Sequence, residues 1–189
     1  TFGGWYDNIA IGDSAGYGIM WYSNIAIGNS ALNNADNSAF NIAIGERALY
    51  NMTDATAYQA TYNVALGHSA LYNTRPSLTT NGIENVAVGN YAMFANTTGY
   101  SNAVLGSGVL DNNTSGYQNT AVGEDAGGGN TTGNSNTFVG FNTTASVNNL
   151  SNATALGANT VASQTNTVIL GNNADVGIGT STPSRKLHV

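Results

Sequence analysis

The sequence predicts an all-β chain folded as a parallel β-solenoid, a β-roll of about ten short coils. Three observations carry this: a motif that returns at near-constant spacing, aliphatic residues locked to fixed positions around it, and turn residues between its copies. The motif is clearest at Asn41-Ile42-Ala43-Ile44-Gly45, and its copies end at Gly12, Gly28, Gly45, Gly67, Gly89, Gly106, Gly123, Gly140, Gly157 and Gly171. The intervals are 16, 17, 22, 22, 17, 17, 17, 17 and 14 residues, and periods of this size mark repeat architectures.

Each coil can be numbered from its glycine. Position −1 is aliphatic throughout, from Ile11 to Leu170; position −2 is mostly Ala; position −3 runs from Ile9 through Val86 and Ala103 to Thr120, Thr137, Thr154 and Val168. This stretch is too short for a helix and rich in β-branched residues, so it reads as a strand. Positions −1 and −3 then face one way and −2 the other. Both faces are largely apolar, as in a strand covered on both sides.

A second short strand is predicted after the glycine. Position +3 is Ala15, Ala31, Ala48, Ala70, Ala92, Val109 and Ala126, then Thr143 and Thr160; position +4 is often large, as in Leu32, Leu49, Leu71, Met93 and Leu110. Turns such as Asn96-Thr97-Thr98-Gly99 and Asn130-Thr131-Thr132-Gly133 close the coil, using residues suited to positive φ. Stacked at about 4.8 Å, ten such coils make a rod on the order of 50 Å long.

Position −4 is Asn8, Asn24, Asn41, Asn63, Asn85, Asn102, Asn119 and Asn136. Stacked amides form hydrogen-bonded ladders, and the preferred reading is buried turn satisfaction over a ligand-binding surface. In the last two coils the asparagine moves to −5, at Asn152 and Asn166, which predicts a changed turn there. The two 22-residue intervals carry five extra residues each, read as surface bulges.

Composition narrows the function classes. Only 7% of residues are charged, against about 25% in ordinary globular domains. The net charge of −6 offers no basic patch for nucleic acid. Cysteine is absent and no apolar run approaches the length of a membrane span. A polar surface of Asn, Thr, Ser and Gly fits an extracellular setting. The chain begins and ends in mid-pattern and reads as a piece of something longer. Residues 1–7 are taken as a junction or cap, 8–174 as the repeat domain and 175–189 as a junction towards a further segment.

A two-strand coil encloses a thin core, which leaves the second apolar face bare. A long bare strip aggregates unless it is covered. Symmetric self-association about the rod axis covers it, with three copies favoured and two left open.

The Asn-x-Ala-Ile-Gly-x-x-Ala repeat resembles the head domain of trimeric autotransporter adhesins, a β-roll family whose 14-residue period is matched by Ala158 to Gly171. The 17-residue coils with Asn-Thr-Thr-Gly turns are more similar to repeats of bacteriophage tail fibres. The end of the chain, Val176-Gly177-Ile178-Gly179-Thr180 through Thr182-Pro183 to Val189, resembles the junction ahead of the intramolecular chaperone of such fibres. These resemblances imply an extracellular homotrimeric fibre used in attachment to a cell surface.

Chemistry is sparse. His68 and His188 lie far apart in sequence, and Glu124-Asp125 is an acidic pair whose members would point to opposite sides of a strand. No catalytic, metal or cofactor residue is expected. The binding candidates are aromatic: Trp5, Tyr17, Trp21 and Tyr22 in the first coils, and Tyr58 and Tyr62 on the first long interval. They read either as an end cap or as a platform for a surface glycan or protein receptor. A polysaccharide depolymerase is the enzymatic alternative, with Glu124 and Asp125 its only acid–base candidates.

Overall fold

The structure is a computed structural model, and it describes residues 7–18, 22–35, 38–52, 61–78 and 81–188. No helix occurs among them. Ten three-residue strands form a single parallel sheet: β1 (Ile9–Ile11), β2 (Ile25–Ile27), β3 (Ile42–Ile44), β4 (Val64–Leu66), β5 (Val86–Val88), β6 (Ala103–Leu105), β7 (Thr120–Val122), β8 (Thr137–Val139), β10 (Thr154–Leu156) and β12 (Val168–Leu170). They pair in chain order, so the chain is a parallel β-solenoid of about nine turns.

The repeat position fixes the register. Every −2 residue lies level with its counterparts, as in Ala43↔Ala65, Ala65↔Ala87 and Ala121↔Phe138. The long intervals do not disturb it, since Ile42 pairs Val64 and Val64 pairs Val86 as squarely as Ala103 pairs Thr120. The extra residues are taken up outside the strands.

Among the described residues the expected second strand is present in two coils, as β9 (Thr144–Ala145) and β11 (Val161–Ala162), which pair with each other. In the seven coils from Gly12 to Gly123 that limb is a turn. The reason lies at position +4. Leu32, Leu49, Leu71, Met93 and Leu110 have φ between 47° and 51°, with Gly16 and Gly127 also positive. A residue in the left-handed region cannot continue an extended strand. Leu and Met, unbranched at Cβ, adopt it at a tolerable cost. Thr144 and Val161 are β-branched, for which positive φ is a genuine outlier, and there the limb straightens into a strand.

The turn limb still forms a ladder. At +2 the N–H points back one coil, as from Ser30 to the Asp13 carbonyl at 2.8 Å; at +4 it points forward, as from Leu32 to the Ala48 carbonyl at 2.8 Å. Alternating left-handed residues send successive N–H groups to opposite neighbours.

The core is a narrow column of −2, +3 and +4 side chains. Ala26, Ala43, Ala65, Ala87, Leu32, Leu49, Leu71, Met93, Leu110 and Phe138 are all fully buried. The repeat glycine closes it. Gly28 has φ +128°, and a Cβ there would sit 2.7 Å from the carbonyl carbon and oxygen of Gly45 in the next coil. Only a residue without a side chain fits such close stacking.

The buried asparagines run up the rod as predicted from their spacing. Asn102 Nδ2 donates to Asn85 Oδ1 at 3.0 Å and to the Gly116 carbonyl at 2.9 Å. Its Oδ1 accepts from the backbone N–H and Nδ2 of Asn119 at 2.9 and 3.1 Å. A second, shorter ladder joins Asn96, Asn113 and Asn130 through Nδ2-to-Oδ1 bonds of 3.1 Å. The Asn96 and Asn130 amides are buried and donate to Gly99 and Gly133 carbonyls of their own turns, so these sequons serve the turn.

The backbone turn does not change in the last two coils, contrary to expectation. Position −5 is left-handed in every coil, from Asp7 (φ 62°) to Asn152 (φ 54°) and Asn166 (φ 60°). Asparagine at −5 occupies a conformation it favours; what is lost is the buried amide at −4, where Ala153 and Thr167 stand. Residues beyond the main sheet contribute β13 (Val176–Gly177) and β14 (Leu187–His188), a separate parallel pair.

Candidate interaction surface

The side of the sheet opposite the core carries the −1 and −3 residues. Among the described residues these outward positions are exposed or half-buried: Ile11 is 59% exposed and Leu105 53%, against 0% for Ala26 and Ala121 on the inner side. The row continues through Ile44, Val86, Val122, Leu156, Val168 and Leu170. No residue in these ten strands is charged. An uncharged strip of exposed and half-buried outward residues over ten rungs is unusual on a single chain and is the candidate interaction surface. Towards the C-terminal end Thr120, Thr137 and Thr154 replace the aliphatic −3 residue, so half the strip becomes mixed there.

At β6 the strip is indented. Val86, Val88, Ala103, Leu105, Thr120 and Val122 line a shallow apolar hollow. Ala103 is the small residue in a column whose neighbours are Val86 and Thr120.

The aromatic candidates do not gather into one site. Trp5, Trp21 and Tyr58 lie outside the described residues. Tyr17 is exposed in the +5 column, on the limb after the glycine. Tyr22 and Tyr62 flank Phe40 on neighbouring coils: the Phe40 N–H donates to the Tyr22 carbonyl, and the Phe40 and Tyr62 rings stack at 5.1 Å. Sequence reading missed the ladder Tyr50–Tyr72–Phe94, stacked at 5.1 Å per step, and the pair Tyr100–Tyr117 at 4.7 Å. Their signal was a shared offset from the repeat glycine, +5 for the first set and −6 for the second.

Glu124 and Asp125 lie in a turn, not a strand, and Asp125 is left-handed with φ 54°. Asp125 instead lies near enough to Asp111 of the preceding coil for their charges to interact. Burial raises the Asp111 carboxyl above the ordinary aspartate range, and the Asp125 charge adds to the rise. Among the described residues no three His, Asp or Glu side chains come together as a metal site.

Compared with protein-family models, curated proteins and solved structures, the chain matches none. The sheet face and its chemistry therefore carry the functional argument.

Proposed function

We infer that this chain is a structural and adhesive segment of an extracellular trimeric fibre, of the phage tail-fibre or surface-adhesin kind, which attaches to a cell surface. The observation that supports it is the uncharged aliphatic strip running along all ten rungs of the sheet. Left in water, such a strip drives association; closed symmetry about the rod axis covers it without open-ended growth. The resemblance of the repeat to fibre proteins points the same way.

Light scattering and sedimentation of the purified chain test this. A mass of three copies and elongated particles in negative stain support the reading. A well-behaved single copy at micromolar concentration overturns it.

A second reading, recognition of a surface glycan, rests on the exposed stacked pair Phe40–Tyr62 beside Tyr22. Glycan-array binding lost on Tyr62→Ala supports it, and an array without hits for the intact assembly removes it.

A further inference from the structure

The indentation at β6 has its complement on the same rung. Ala103 at −3 is smaller than Val86 and Thr120 above and below it, and Leu105 at −1 projects beside it, 53% exposed. Cyclic symmetry about an axis parallel to the rod has two consequences. Equal rungs stand at equal height, and the −1 edge of one copy meets the −3 edge of its neighbour. At β6 that places Leu105 of one copy over the hollow at Ala103 of the next.

We propose that this rung is an alignment key: Leu105 seats in the neighbouring copy's Ala103 hollow and holds the copies parallel and level. The proposal rests on the self-association reading above. Four features select a second copy of this chain as the occupant. A second copy repeats the same rung spacing over the same ten strands. The two outward positions per rung give each copy twenty residues to bury against its neighbours. The face carries no charge that asks for a complementary partner. Finally, projection and hollow share one rung, so they meet only when the rungs are level. A slip of one rung sets Leu105 against Val86 or Thr120, which are β-branched and fill the space. It also leaves Ala103 under Val88 or Val122, with a void. Overpacking and voids each cost stability.

The sequence contains no cysteine, so engineered thiols report cleanly. Chains carrying Ala103→Cys and chains carrying Leu105→Cys, co-assembled in equal amounts and mildly oxidised, are expected to form an interchain disulfide as the dominant product. Replacing the Leu105→Cys chain by Val88→Cys or Val122→Cys is expected to lower the yield at least about tenfold, because a disulfide tolerates Cα separations only to about 7 Å and adjacent rungs add about 4.8 Å. A dominant product with Val88→Cys or Val122→Cys overturns the level alignment, as does no crosslink in an assembly that light scattering shows to be oligomeric. Both outcomes leave self-association standing. A monomeric unsubstituted chain instead overturns the reading beneath the proposal.

Discussion

Leu71 shows how much of the fold turns on backbone conformation at single positions. It is fully buried and sits at φ 51°, so both its volume and its branching matter. Leu71→Met keeps both and should cost less than about 1.5 kcal/mol. Leu71→Ile keeps the volume but puts a β-branched residue in the left-handed region, and an added cost of about 1–3 kcal/mol is expected in chemical denaturation. Asn102 is held on all sides by Asn85, Gly116 and Asn119. Asn102→Ala leaves several buried groups unpaired and should cost about 3 kcal/mol by the same measurement. Asp111 gives a pH signature. Its folded-state pKa is raised, so its contribution is fully present below the unfolded pKa and is lost as pH rises through the folded one. Asp111→Asn should therefore raise the melting temperature at pH 7, with the gain vanishing as the pH drops below the ordinary aspartate range.

The strands were legible because three adjacent positions obeyed one rule in every coil. Ile42-Ala43-Ile44 and Val168-Ile169-Leu170 differ in residue but not in pattern. The second limb was misjudged because Ala48-Leu49 looks like any short apolar strand; hydrophobicity does not report φ. Branching does, and the contrast of Leu110 with Thr144 and Val161 was in the sequence. The outward strip was legible as an apolar face, but its indentation at Ala103 needed the register that levels it with Val86 and Thr120. The aromatic ladder was obscured by the two long intervals, which carry Tyr50, Tyr72 and Phe94 22 residues apart. Since those intervals leave the pairing of Ile42, Val64 and Val86 intact, deleting residues 54–58 restores a 17-residue coil. It should change stability by less than about 1 kcal/mol, within what loop closure costs for a few residues, as read from thermal melts.

Across the molecule each strand of the main sheet hydrogen-bonds only to its immediate neighbours, and the chain passes through them in order. Stability of such a stack is close to a sum of coil and nearest-neighbour contributions. The register also sets what the chain can be made to do. Gly106 and Gly123 occupy equivalent places 17 residues apart, so excising residues 107–123 joins one coil to the next but one with the same geometry. The shortened chain should fold, melt only slightly lower and yield particles shorter by about 4.8 Å in small-angle scattering. A gene encoding such a chain is a ruler graduated in coils: adding or losing 17 codons changes the reach of the object and leaves its cross-section untouched.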